Sequence, residues 1–119
     1  MKLLIVEDDV LIRKTVEMKF RKEGFEVVAA VDGKDGMEKF ETTDPDIVLT
    51  DIMLPYISGL EIVRAIKSRT DKSIPVIVFS TMGQEAMVEE AYRLGADEFV
   101  KKPFSLAELA IRVKRLTKS

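Results

Sequence analysis

Leu3-Leu4-Ile5-Val6-Glu7-Asp8-Asp9 runs four aliphatic residues straight into three carboxylates. An unbroken apolar run of that length, with no polar alternation, reads as a parallel strand buried on both faces. The sudden acidity marks its carboxyl end. Working outward, the theme repeats at Phe25–Ala30, Asp46–Thr50, Pro75–Phe79 and, more briefly, at Glu98–Val100, a candidate edge strand. Between these runs apolar residues recur at helical spacing: Val10, Thr15, Met18 and Phe20, then Gly36, Met37 and Phe40, then Leu60, Val63 and Ile66. Met87, Ala91 and Leu94 mark a fourth helix, and Leu106, Leu109, Val113 and Leu116 a fifth. Gly24 and Gly95 are placed to close two of them. Ser105, with Glu108 three residues on, has the spacing of a capping box.

Five β–α units predict one open, doubly wound α/β domain with right-handed crossovers. A ligand should then sit beyond the carboxyl ends of the strands, where strand order reverses. Composition narrows the chemistry. The 119 residues, 46% apolar and 34% charged, suit one globular domain. With no cysteine and no histidine, thiol nucleophiles, thiolate metal sites, Ser-His-Asp chemistry and imidazole zinc sites are excluded. No apolar run approaches the ~20 residues that span a bilayer, and no signal-peptide pattern opens the chain. We therefore expect a cytoplasmic protein with no membrane contact. Residues 1–61 carry 8 basic and 14 acidic groups (−6), and residues 62–119 carry 11 and 7 (+4). That split is too mild for direct nucleic-acid binding and points to one acidic site and one basic region.

The strand ends hold the chemistry. The first run ends in Glu7-Asp8-Asp9, the third in Thr50-Asp51, the fourth in Ser80-Thr81 and the fifth in Lys101-Lys102-Pro103. Taken singly, each has a plain reading: helix-capping acids, a turn aspartate, a hydroxyl N-cap, a solvated lysine pair. Meeting at one rim, the carboxylates would repel, and a hard divalent cation such as Mg²⁺ is one remedy. A lysine there could clamp an incoming anion, and a hydroxyl could donate to it.

These residues resemble a response-regulator receiver domain, and the resemblance runs the whole chain, 1–119. It is carried by Ile5-Val6-Glu7-Asp8-Asp9, by Pro45-Asp46-Ile47-Val48-Leu49-Thr50-Asp51-Ile52-Met53-Leu54-Pro55 and by Gly59. It continues in Ile74-Pro75-Val76-Ile77-Val78-Phe79-Ser80 and in Gly95-Ala96-Asp97-Glu98-Phe99-Val100-Lys101-Lys102-Pro103-Phe104. The resemblance implies a flavodoxin-like, five-stranded parallel sheet of order 2-1-3-4-5 with five helices. It implies Asp51 as phosphoacceptor, and Glu7, Asp8, Asp51 and the Met53 main-chain carbonyl as the Mg²⁺ shell. Lys102 would pair with the phosphoryl group, Ser80 would be the switch hydroxyl and Phe99 the aromatic that reports the state. Asp9 starts the helix. The donor would be phosphohistidine on a sensor histidine kinase or phosphotransfer protein, docking on Ile12, Arg13, Thr15 and Val16 and on the loop at Pro103. A signalling switch follows rather than an enzyme, acting on a downstream protein through the face of helix four, strand five and helix five.

Three positions depart from the commonest pattern: Ser58 before Gly59, Thr81 beside the switch hydroxyl, and Phe99 in place of tyrosine. Met53 and Met82 stand where side chains overhang the phosphoryl group. Neither can orient an attacking water, so slow loss of the group is expected. Only Thr117-Lys118-Ser119 follow the fifth helix, which favours a stand-alone regulator, a monomer or weak phosphorylation-dependent dimer. The alternatives are the receiver half of a DNA-binding factor and a receiver-like module that binds without phosphorylation. Glu98, Glu108 and Arg112 resemble part of a dimerising face, but Gln84 and Val88 stand where its basic partners belong. A small Mg²⁺-dependent phosphatase would need an aspartate at Met53.

Overall fold

The structure, a computed structural model, describes residues 1–81 and 84–118. Among these, strands and helices alternate: β1 (Lys2–Val6), α1 (Val10–Lys22), β2 (Glu26–Ala30), α2 (Gly33–Thr43), β3 (Ile47–Asp51), α3 (Gly59–Lys67), β4 (Val76–Ser80), α4 (Glu85–Arg93), β5 (Glu98–Lys101) and α5 (Leu106–Thr117). Every pairing is parallel, in the order β2-β1-β3-β4-β5. Each strand starts and stops within one residue of its apolar run.

Alternation along the strands divides the core in two. Leu3, Ile5, Ile47, Leu49, Ile77 and Phe79 face α1 and α5, meeting Val16, Phe20, Leu109 and Val113. Leu4, Val6, Val48, Val76 and Val78 face α2, α3 and α4, meeting Phe40, Ile62, Ile66 and Ala91. Burying one such side chain is worth about 1.5–3 kcal/mol, so coverage on both faces stabilises the sheet.

Helix α1 corrects the expected phase. Val10 and Met18 are 57% and 63% exposed, whereas Val16 and Phe20, one turn apart, are fully buried. Met18 lies two residues from each, about 200° around the helix, and so must face solvent. Ser80 and Thr81 do not cap a helix either. Ser80 stays in β4, and α4 begins only after Gln84. The expected glycine closures hold: Gly24 (φ +95°) and Gly95 (φ +108°) follow the C-caps of α1 and α4. Ser105 accepts from the Glu108 N–H at 3.2 Å, but the Glu108 carboxylate turns to Arg112 (2.8 Å).

Two contacts set the site's surroundings. A Cβ built on Gly59 would lie 2.0 Å from the Asp51 carbonyl oxygen. Only a glycine lets the first turn of α3 rest on the backbone that ends β3. At the sheet edge, the Phe99 N–H donates to the Tyr92 hydroxyl of α4 at 3.0 Å.

Candidate functional site

The alternation that builds the core also sorts the polar side chains. Glu7 continues the series of Leu3 and Ile5, Asp51 that of Ile47 and Leu49, and Lys102 follows Val100 by two, so all three emerge toward α1 and α5. Ser80 continues the series of Val76 and Val78 and, with Phe99, belongs to the face under α4. The carboxylate–lysine group and the hydroxyl–aromatic pair thus flank the carboxyl rim from opposite faces.

Lys102 joins the ends of three strands. Its Nζ donates to Asp51 Oδ2 at 2.6 Å and, more closely, to Glu7 Oε1. All three side chains are at least nine-tenths buried. The Met53 N–H donates to Asp51 Oδ1 at 3.1 Å, so the loop after β3 holds the other oxygen. Burial pushes the Glu7 carboxyl up to about 7, the charge of Asp51 adding to the rise and Lys102 opposing it. Burial also works against the Lys102 charge, but its bonds to Asp51 and Glu7 outweigh that and hold it above the ordinary lysine value.

Glu7, Asp8 and Asp51 each offer a carboxylate oxygen within 4.8 Å of the others. Three hard anionic oxygens at that spacing suit Mg²⁺, which takes one or two carboxylates and keeps several waters. Asp8 is exposed and so open to an ion from solvent, while Glu7 and Asp51 are buried. Asp9 stands apart as the N-cap of α1, accepting from Ile12 N–H at 3.0 Å. Ser58, the departure before Gly59, caps α3 by accepting from Leu60 N–H at 3.1 Å.

Ser80 is fully buried at the end of β4, beside Lys101 in register. Phe99 is half-buried against the core under α4, opposite Val78. Met53 is 55% exposed at the rim, and Met82 lies outside the described residues.

The residues expected to dock a partner divide. Ile12, Thr15, Val16, Pro103, Phe104 and Leu106 line an apolar groove of about 470 Å³, with Lys102 at its margin. Val16 is fully buried, because its position on α1 faces Phe20 and α5, so it forms floor rather than contact surface. Arg13 does not line the groove. Its Nη1 donates to the Glu7 main-chain oxygen at 2.8 Å, which turns it toward the carboxylates. Arg112 pairs with Glu98 and Glu108, and Arg115 with Glu98, all within this chain. Sequence reading missed the Arg13 and Tyr92 contacts. No local signal marks the first, because its acceptor is a main-chain carbonyl.

The family description "Response regulator receiver domain" matches residues 3–114. The chain is 37% identical over 116 residues to response regulator RR06 of Streptococcus pneumoniae, covering 98% of this chain and 52% of that one. It is 35% identical to the probable transcriptional regulator ycf27 of Cyanophora paradoxa, covering 97% of this chain and 47% of that one. It therefore spans about half the length of the curated relatives it matches. Among solved structures, the receiver domain of the Francisella response regulator 1452 superposes with a TM-score of 0.90 at 32% identity, covering 98% of this chain and 96% of that chain. Among the described residues, no helix is long and apolar enough to cross a membrane.

Proposed function

The chain belongs to the response regulator receiver domain family, and from that premise we propose that Asp51 is the phosphoacceptor of a two-component pathway. The observation that carries this reading is the bridge from Lys102 Nζ to both Glu7 and Asp51 at the carboxyl rim, with Asp8 completing the acidic cluster. An Asp51 carboxylate oxygen attacks the phosphorus of a phosphohistidine. The O–P bond forms as the N–P bond breaks, and the imidazole leaves to a solvent proton. Lys102 offers a fixed ammonium for the charge that arrives, and burial strengthens that attraction. Glu7, Asp8, Asp51 and the Met53 carbonyl would hold Mg²⁺, which supplies countercharge to the phosphoryl oxygens when bound.

The product brings about −1.5 to −2 charge to the rim. Ser80 donates to it from the far face of the sheet, and Phe99, on that same face, follows into the space released. The change reaches α4, β5 and α5, where a downstream protein binds. The kinase or phosphotransfer protein seats on the groove of Ile12, Thr15 and Pro103. We read the domain as a cytoplasmic switch rather than an enzyme.

The test is intact mass after incubation with Mg²⁺ and acetyl phosphate. The wild type should gain one phosphoryl group and Asp51→Asn none. Beryllofluoride binding then probes the pocket without asking for reaction. No mass gain together with no beryllofluoride binding would overturn the proposal.

A further inference from the structure

The geometry points to Arg13 as a positioning residue for the Glu7–Asp8 carboxylate pair, an inference that rests on the metal-assisted reading of this site. Two hydrogen bonds fix the peptide planes around Glu7. Its N–H donates to the Ala30 carbonyl at 3.1 Å, fixing the plane that enters the site. Its carbonyl accepts from Arg13 Nη1 at 2.8 Å, fixing the plane that leaves it. That second plane contains the Asp8 nitrogen and ends at the Asp8 Cα. Holding the Glu7 oxygen therefore fixes the Asp8 N–Cα bond, the axis about which its side chain departs.

Asp8 needs such help. Glu7 and Asp51 are buried and share the Lys102 ammonium, whereas Asp8 is the exposed member of the three. Its orientation has to come from its backbone. Arg13 supplies this from α1, whose start is independently fixed by the Asp9 cap. Arg13 is half-buried, and the planar, persistent charge of its guanidinium suits a bond to a carbonyl at the mouth of an acidic cluster. Partners that orient metal ligands commonly change metal affinity 10–100-fold when removed. Charge alone predicts the opposite sign, because a cation beside three carboxylates repels a second cation.

The experiment measures Mn²⁺ affinity by electron paramagnetic resonance without any phosphodonor, in wild type, Arg13→Lys and Arg13→Met, with urea midpoints recorded alongside. Positioning predicts that Arg13→Met binds Mn²⁺ about tenfold more weakly and that Arg13→Lys, which can still reach a carbonyl, recovers part of the loss. With acetyl phosphate, the Mg²⁺ concentration for half-maximal phosphorylation should rise by a similar factor while the rate at saturating Mg²⁺ changes little. Unchanged or tighter Mn²⁺ binding by Arg13→Met overturns the inference. So does a defect confined to a phosphohistidine protein donor, which would make Arg13 a docking residue. A wild type that binds no Mn²⁺ defeats the metal-site reading itself, a result distinct from either.

Discussion

Replacing Gly59 by alanine tests whether the end of β3 is held by a backbone-to-backbone wall. The new Cβ would stand 2.0 Å from the Asp51 carbonyl oxygen and 2.8 Å from the Ile52 Cα. Ordinary contact begins at 3.4 Å, so helix and strand must separate by about 1.4 Å (3.4 less 2.0). No side chain can rotate away, because both walls are main chain. Overpacking of this kind costs about 1–3 kcal/mol. The Gly59 N–H bond to the Ile52 oxygen, 2.9 Å here, would be strained as well, adding about 1 kcal/mol. The total of roughly 2–4 kcal/mol is a large share of the 5–15 kcal/mol typical of a domain. With a urea slope of about 1.5 kcal/mol/M, the unfolding midpoint should fall by roughly 1.3–2.7 M. Gly24→Ala is the control: it has φ +95° but nothing within 4 Å, so it suffers only backbone strain of about 1 kcal/mol. Because Asp51 moves with its carbonyl, phosphoryl uptake should weaken in Gly59→Ala and stay normal in Gly24→Ala. A Gly59→Ala midpoint no lower than that of Gly24→Ala would refute the reasoning.

Two further outcomes are expected. Met53→Asn places an amide able to orient water beside Asp51, so the phosphorylated variant should lose its group several-fold faster, read by intact mass over time; an unchanged lifetime would count against Met53 as the shield. Asp46 accepts from the Lys2 N–H at 2.8 Å and pairs with Lys72 at 3.1 Å, and the Lys2 bond first, then Lys72, hold its carboxyl below the usual value. A depressed carboxyl stabilises the fold above its unfolded value, near 3.9, and loses that contribution as pH falls through the folded value. Asp46→Asn should therefore cost about 1 kcal/mol at neutral pH, with the gap in urea midpoint steady from pH 7 to about 5 and closing only as the pH falls through about 4 and below; an equal gap throughout would mean the charge is not the source.

Strand positions were legible because four of the five apolar runs stop against charged or hydroxyl residues, and period-two alternation then dictates which rim side chains share a face. That Glu7, Asp51 and Lys102 meet depends on strand order, which no local signal carries; the Lys102–Glu7 bond spans 95 positions. Resemblance, not periodicity, supplied that order. Helix α1 was misread because Met18 and Val16 are equally apolar in composition, and only the packing of Phe20 against α5 decides the phase. Arg13 reads as a docking residue because the resemblance puts it on the partner-facing part of α1. Its partner is a carbonyl, and main-chain acceptors leave no mark in a sequence.

The Tyr92 hydroxyl on the Phe99 N–H bears on a different property, the molecule's behaviour among copies of itself. β5 closes one side of the sheet, and an uncovered strand edge is a template on which another chain can add a strand. Here a main-chain donor at that edge is taken by a side chain from α4, over only four residues of strand. An intruding strand would have to displace the tyrosine to pair with this donor. The same link that joins α4 to β5 thus also occupies a donor on which a strand from a second copy would otherwise pair.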